Sequence, residues 1–205
     1  MQAGARHCQP GLMQRVLLFT AVYTGLLFFY GHSVDSPLTN LYTGVNILLL
    51  AVFAVIHRWA RFPTSVLWGI SVVGLGNMLG GVLLVDGAPL YTAEFIGPMR
   101  YDKFFHGAAA LVLFFVAWSA TQRWAGEGYH FGGLVLVTFL MTMGGGAVVE
   151  IAELIGSTLS DVSVGDYGNN ALDLVANGVG ALIGVILLLL IGRSESVHEV
   201  GATPG

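Results

Sequence analysis

Six apolar stretches, each long enough to cross a lipid bilayer, dominate this sequence of 205 residues. A membrane-spanning helix needs about 17 to 25 mainly apolar residues, because hydrocarbon offers the backbone no other hydrogen-bond partners. Charged residues make up 10% of the chain, against roughly 25% in soluble domains. We therefore expect an all-α, polytopic membrane bundle of about six transmembrane helices, forming a single integral membrane domain over residues 1–205. The stretches lie near residues 16–31, 40–57, 65–86, 104–122, 131–152 and 171–192.

The positive charges predict how the bundle is oriented in the membrane. Lys and Arg are more frequent in the short loops on the cytoplasmic side of a membrane protein. With six spans, all Lys and Arg residues except Arg100 and Lys103 fall on one side. Both termini are therefore expected in the cytoplasm, and the lipid bilayer is the expected partner. Most acidic residues fall on the other side, so the formal net charge of −4 gives no reason to expect nucleic acid as a partner.

The last apolar stretch begins with a stripe of carboxyl and amide side chains. Asp166, Asn170, Asp173 and Asn177 follow one another at steps of four, three and four residues, so on a helix they share one face. Asp166 alone is a favoured helix N-cap, and the two Asn side chains could simply bond neighbouring helices. Such structural explanations account less well for Asp173, because a carboxylate inside an apolar stretch is energetically costly and marks a functional site by default.

Two further polar groups are expected at the same level of the bundle. The fourth stretch opens with Asp102, Lys103 and His106, of which Asp102 and His106 are four residues apart and share a face. The fifth ends with Glu150 and Glu153, three residues apart. Because neighbouring helices alternate in direction, the starts of helices four and six lie beside the end of helix five. The sequence therefore predicts one polar site built from three helices.

Clustered carboxylates in this site need a neutralising partner, because they cannot all stay ionised in a low-dielectric environment without compensation. The candidates are Arg100, Lys103, a protonated His106, shared protons and a bound cation. His106 could also be a buried imidazole bonded to Asp102. Oxygen ligands with one imidazole suit a divalent metal, which would be Mg²⁺, Mn²⁺, Zn²⁺ or non-haem Fe. The candidate metal ligands are His106, Glu150, Glu153 and Asp173.

The order and spacing of these residues resemble the VanZ-like superfamily of small bacterial membrane proteins, and more closely its YjdF-like branch. The resemblance implies a helical bundle in the bacterial cytoplasmic (inner) membrane. It also implies that Asp102, His106, Glu150, Asp173 and Asn177 form the common site. The matching motifs are Tyr101-Asp102-Lys103-x-x-His106, Glu150-x-x-Glu153 and Asp173-x-x-x-Asn177-x-x-Gly180-x-x-x-Gly184.

Three functions are compatible with this pattern. The first is an enzyme, with or without a metal, that acts at the outer leaflet on a lipid or cell-envelope precursor. The second is a module that binds or transports a cation, a proton or a solute, although no continuous polar pathway is visible in the cytoplasmic half of the helices. The third is a polar network that only locks helices together. For the enzyme, the candidate catalytic residues are His106, Glu150, Glu153 and Asp173, and the candidate substrate-binding residues are Arg100, Asp102, Lys103, Asp166, Asn170 and Asn177.

Overall fold

Six long helices make up most of the structure, a computed structural model that describes residues 10–125, 129–159 and 167–200. Each of the six contains a stretch long and apolar enough to span a membrane. The prediction of an all-α membrane bundle with six transmembrane helices is confirmed. The helices are α1 (Pro10–Ser33), α2 (Thr39–Ala60), α3 (Thr64–Val82), α4 (Tyr101–Ala125), α5 (Phe131–Leu159) and α6 (Tyr167–Val200).

Several helix ends differ from the predicted limits, because a helix need not stop where its apolar stretch stops. Helix α3 ends at Val82, four residues before the expected 86, because the chain turns there into a hairpin. Helix α4 begins at Tyr101, and α6 also begins before its apolar stretch. Helix α5 continues to Leu159, so Glu150 and Glu153 lie inside a helix and not at its end. Polar side chains near these ends are therefore held at fixed positions on helices.

The segment between α3 and α4 folds into two small antiparallel hairpins joined by a turn of 3₁₀ helix at Leu90–Thr92. The first hairpin turns at Asp86 and Gly87, whose φ angles of 52° and 81° are both positive. Two consecutive positive φ angles are what a tight two-residue hairpin turn requires, and Asp-Gly is a favoured pair for it. The strands are β1 (Leu84–Val85), β2 (Ala88–Pro89), β3 (Glu94–Ile96) and β4 (Met99–Arg100).

Tyr91 anchors this segment to the helices. Its hydroxyl donates a hydrogen bond of 2.8 Å to Oδ1 of Asn77 on α3. Its ring lies against Gly80, where an added Cβ would come within 2.5 Å of the ring. Burial raises the pKa of Tyr91 well above its ordinary value, and among its neighbours the negative charges of Asp102 and Glu153 act in the same direction. Tyr91 is therefore a neutral hydrogen-bond donor that lies close to the acidic residues of α4 and α5.

Helix α4 lies at the centre of the bundle and packs most extensively against α6. The reason is a series of glycines on α6 that let the two backbones approach. A Cβ added to Gly180 would overlap the carbonyl oxygen of Gly107 on α4. One turn later, a Cβ on Gly184 would lie 2.6 Å from the ring of Phe114. Small residues are the usual means of close helix contact in lipid, where the hydrophobic effect gives no drive for association.

The two ends of the bundle differ in charge. One end, which we call the basic end, carries the exposed side chains of Arg15, Arg58, Arg61 and Arg123. The opposite end, which we call the acidic end, contains the start of α4, the last turns of α5 and the start of α6. The basic end is the one predicted to face the cytoplasm. The site described below lies at the acidic end.

Candidate functional site

The amino group of Lys103 joins α4 to α6 at the acidic end. Its Nζ lies 2.6 Å from Oδ1 of Asp173 and 2.8 Å from Oδ2 of Asp102. It also donates a hydrogen bond of 2.7 Å to Oδ1 of Asn169. The side chain of Asp173 is fully buried, at 0% exposure, so this ion pair is shielded from water. Of the neutralising partners that the sequence left open, the structure thus brings Lys103 into direct contact with two carboxylates.

Asn169 completes the environment of Asp173. Its Nδ2 donates a hydrogen bond of 2.8 Å to Oδ2 of Asp173, so both carboxylate oxygens have a partner. The predicted stripe contained Asn170, which is half-buried, whereas these contacts are made by its neighbour. Both residues lie about one turn before Asp173, and the packing of α6 on α4 turns Asn169 toward Lys103. The predicted stripe residue Asp166 lies outside the described residues.

His106 lies among three carboxylates and links α4 to α5. Its Nε2 is 3.5 Å from Oδ1 of Asp102 and 3.8 Å from Oδ1 of Asp173, and its Nδ1 is 3.4 Å from Oε1 of Glu150. A neutral imidazole carries one N–H and can donate on one side only, whereas an imidazolium can donate on both. The surroundings of His106 therefore suit a group that gains and loses a proton.

Glu150 differs from the other buried carboxylate of the site. Its side chain is buried, with the residue 5% exposed, and neither oxygen makes a hydrogen bond within the part of the chain that the structure describes. The contact of 3.4 Å with His106 is close enough for charge interaction without hydrogen-bond geometry. Nearly all buried polar groups in proteins are hydrogen-bonded, so an unpartnered carboxylate requires an explanation.

Asn177 contributes a second unpartnered group from α6. The residue is 3% exposed, and its buried Nδ2 has no hydrogen-bond partner among the described residues. It faces Gly146 on α5, where an added Cβ would lie 2.6 Å from Nδ2. Because Gly146 is one helical turn before Glu150, Glu150 and the amide of Asn177 lie on the same side of α5. The sequence indicated both residues but not that their polar atoms would be unpaired.

Two predicted site residues, Glu153 and Arg100, take no part in the ion pairs found among the described residues. Glu153 is half-buried on α5 and near enough to Tyr91 for its charge to act on that phenol. Arg100 is exposed on β4, and no ion pair of Arg100 is found within residues 10–125, 129–159 and 167–200. The structure therefore places Lys103 inside the site and Arg100 at its rim.

A metal ion could be held by part of this cluster. Asp102, His106 and Asp173 each offer one ligand atom, and the three atoms lie within 4.8 Å of one another. This set shares His106 and Asp173 with the predicted metal ligands. However, the ammonium group of Lys103 already contacts both carboxylates at 2.6 and 2.8 Å. A divalent cation bound there would have to displace Lys103, so the arrangement favours an ion-pair network with an adjacent acid–base pair.

The comparisons with known proteins place the chain in a family without assigning an activity. The family model described as "Predicted membrane protein (DUF2238)" matches residues 15–194, a range that includes every site residue named above. No curated protein and no solved structure matches the chain significantly. The resemblance to the VanZ-like superfamily stays a prediction.

Proposed function

The chain belongs to the DUF2238 family of membrane proteins, and from this premise we propose that it is a membrane-embedded enzyme whose site at the acidic end performs acid–base chemistry on a lipid or cell-envelope precursor. The observation that carries the proposal is the unpartnered carboxylate of Glu150 beside the imidazole of His106. A general base needs a free lone pair within reach of its substrate. Glu150 offers two such oxygens at a buried position.

The roles of the site residues divide according to their partners. Glu150 acts as the general base, and His106 exchanges a proton at Nδ1, 3.4 Å from Oε1 of Glu150. Asp102 orients the imidazole from the other side, at 3.5 Å from Nε2. Asp173, predicted as catalytic, has both oxygens bonded and instead fixes α6 on α4 through Lys103. Lys103 and Asp173 are therefore positioning residues.

The position of the site supports a substrate that resides in the membrane. The residues lie on membrane-spanning parts of three helices, at the end predicted to face away from the cytoplasm. A lipid-linked substrate can enter such a site sideways from the outer leaflet, with its headgroup at the interface. Arg100, exposed at the rim, is suited to hold an anionic headgroup, and Asn170 and Asn177 are candidate hydrogen-bond partners of the substrate.

Replacing Glu150 by Gln should abolish the activity without destabilising the protein. The change removes a buried charge that no described donor compensates, so the melting temperature should stay equal to the parent's or rise. Function would be measured as rescue of lipid and envelope profiles in a strain that lacks the gene and is sensitised to envelope stress. Glu94→Gln, which neutralises an exposed carboxylate on β3, is the matched control and should rescue fully. Full rescue by both Glu150→Gln and His106→Asn would sink the enzyme proposal.

Cation binding, with or without transport, is a second candidate function, favoured by the three converging ligand atoms of Asp102, His106 and Asp173. The two functions differ in metal content. Because Lys103 neutralises the same carboxylates, we expect the protein purified without chelator to carry well below one divalent ion per chain. Elemental mass spectrometry measures this directly. One ion per chain, lost in Asp102→Asn and retained in Glu94→Gln, would establish the cation site instead.

A further inference from the structure

Glu150 and Asn177 present complementary unpartnered groups at the contact of α5 with α6. Glu150 offers hydrogen-bond acceptors, and Nδ2 of Asn177 offers a donor. Both residues are more than nine-tenths buried, at 5% and 3% exposure. We propose that the two side chains together bind one hydroxyl group, belonging either to water or to an alcohol of the substrate. This inference rests on the proposed function and names the group on which Glu150 acts.

Among small polar groups, a hydroxyl best matches the acceptors of Glu150 and the donor of Asn177. A hydroxyl oxygen accepts a bond from the amide of Asn177 and donates its proton to Glu150. An ammonium group has donors only and would leave the amide unsatisfied. A phosphate has acceptors for the amide, but its charge is repelled by the carboxylate. A hydroxyl satisfies both unpartnered groups and adds no charge to a buried site.

The spacing of the two groups also fits one hydroxyl. Nδ2 of Asn177 lies at the level of Gly146, since a Cβ there would be 2.6 Å away. Glu150 lies one turn further along α5, or about 6 Å at 1.5 Å per residue. The side chain of Glu150 leans back toward Gly146, because helical side chains tilt toward the N-terminus of their helix. This shortens the gap toward the roughly 4.7 Å that two hydrogen bonds of about 2.8–3.0 Å span when they meet at one oxygen at a tetrahedral angle. The missing side chain of Gly146 gives the amide its place beside α5.

Glu150 is also placed to pass on a proton that it accepts from the bound hydroxyl. Its Oε1 is 3.4 Å from Nδ1 of His106, and the other ring nitrogen faces Asp102 at 3.5 Å. The bound hydroxyl, held by Asn177 on α6, thus lies next to the carboxylate of Glu150 on α5. That carboxylate lies next to the imidazole of His106 on α4. Glu150 is therefore the base that takes the proton of the bound hydroxyl, and His106 is the group that can receive it next.

The inference is tested by density maps of the intact protein, at a resolution that shows ordered water, in detergent without added lipid and in lipid nanodiscs. We expect a peak about 2.6–3.2 Å from both an oxygen of Glu150 and Nδ2 of Asn177. An isolated peak in both maps identifies water. Density that continues into the outer leaflet in nanodiscs alone identifies a lipid hydroxyl. A direct hydrogen bond between the two side chains, with no peak between them, would overturn the proposal.

Two variants test whether the amide of Asn177 holds the peak, and a third variant is their control. Gly146→Ala should abolish it, since the new Cβ displaces the amide of Asn177, and Asn177→Leu should abolish it by removing the donor. Gly144→Ala is the matched control on the same helix, because its Cβ meets nothing within 4 Å, and the peak should remain. A peak that persists in both test variants would also overturn the proposal. The maps do not depend on turnover, so their outcome is separate from the rescue experiment with Glu150→Gln.

Discussion

Replacing Lys103 by Met should destabilise the protein by about 3–5 kcal/mol, because removing one partner of a buried ion pair leaves the other charge uncompensated. Asp173 is that partner, with its carboxylate 2.6 Å from Nζ and its side chain at 0% exposure. Met keeps an unbranched apolar stem of similar length, so the change removes mainly the charge. For a chain of this size the loss corresponds to a fall in melting temperature of about 10 °C. Tryptophan fluorescence of detergent-purified protein during a thermal ramp would measure it.

Two companion variants separate the ion pair from a general effect of charge. Arg100→Met removes a positive charge that is exposed on β4 and should leave the melting temperature close to the parent's. Adding Asp173→Asn to Lys103→Met removes both buried charges and should restore part of the lost stability. If Lys103→Met alone melts with the parent, the ion pair does not hold α4 and α6 together.

Replacing Gly180 by Ala should separate α4 from α6 and cost about 1–3 kcal/mol, the usual effect of overpacking. The new Cβ would overlap the carbonyl oxygen of Gly107 and lie 2.9 Å from its carbonyl carbon. These are backbone atoms of the facing helix, so no side-chain rotation can relieve the contact. Because the same two helices carry Lys103 and Asp173, the shift should also weaken their ion pair. Thermal unfolding and the yield of monodisperse protein would report the change.

Gly178 offers the control on the same helix. A Cβ there would meet only side-chain atoms of Met143 at 3.9 Å, which is ordinary contact. Gly178→Ala should therefore be neutral, or slightly stabilising through the lower conformational freedom of Ala in the unfolded chain. Equal melting temperatures for Gly178→Ala and Gly180→Ala would mean that the backbones are further apart than the structure has them.

The six-helix architecture could be predicted because bilayer physics leaves few alternatives. Long apolar stretches must form helices in hydrocarbon, and their number follows from length and charge alone. The helix ends could not be placed in the same way. The fifth apolar stretch is predicted to end near residue 152, but α5 continues to Leu159, because polar side chains that face other helices are tolerated inside the bundle. The first hairpin could have been found, since Asp86-Gly87 is a favoured turn pair.

The sequence predicted which residues come together at the candidate site better than it predicted the role of each. Helical spacing indicated Asp102 with His106 and singled out Asp173, and the structure brings all three within ion-pair distance. Spacing could not decide between Arg100 and Lys103 as the neutralising cation, because that depends on where α4 begins and on which face meets α6. Nor could it distinguish a satisfied carboxylate from an unpartnered one, which requires the positions of donors on other helices.

The sequence shows no continuous polar pathway in the half of the bundle toward the basic end, whereas the structure has buried hydroxyls there. Thr121 and Thr138 share a hydrogen bond of 2.9 Å between α4 and α5, and Thr138 and Thr142 are 0% exposed. The hydroxyls of Thr138 and Thr142 each also bond the carbonyl four residues earlier, as in many membrane helices. The mean hydropathy of a long window does not reveal these residues, because a single threonine lowers that mean only slightly.

Lys103 depends on α6 for its buried ion-pair partner, Asp173, and this affects the order in which the bundle assembles. Helices enter the membrane in the order of synthesis, so α4 is inserted while Asp173 is still unmade. During that interval the ammonium of Lys103 has only Asp102, its neighbour on the same helix, as an ion-pair partner among the residues of the finished contact. Because Lys103 is the third residue of α4, its ammonium can reach the polar interface until the last helix arrives, as lysines near helix ends do. A premature stop before α6 would thus leave Lys103 at the interface without Asp173 and would leave the face of α4 that packs on α6 uncovered.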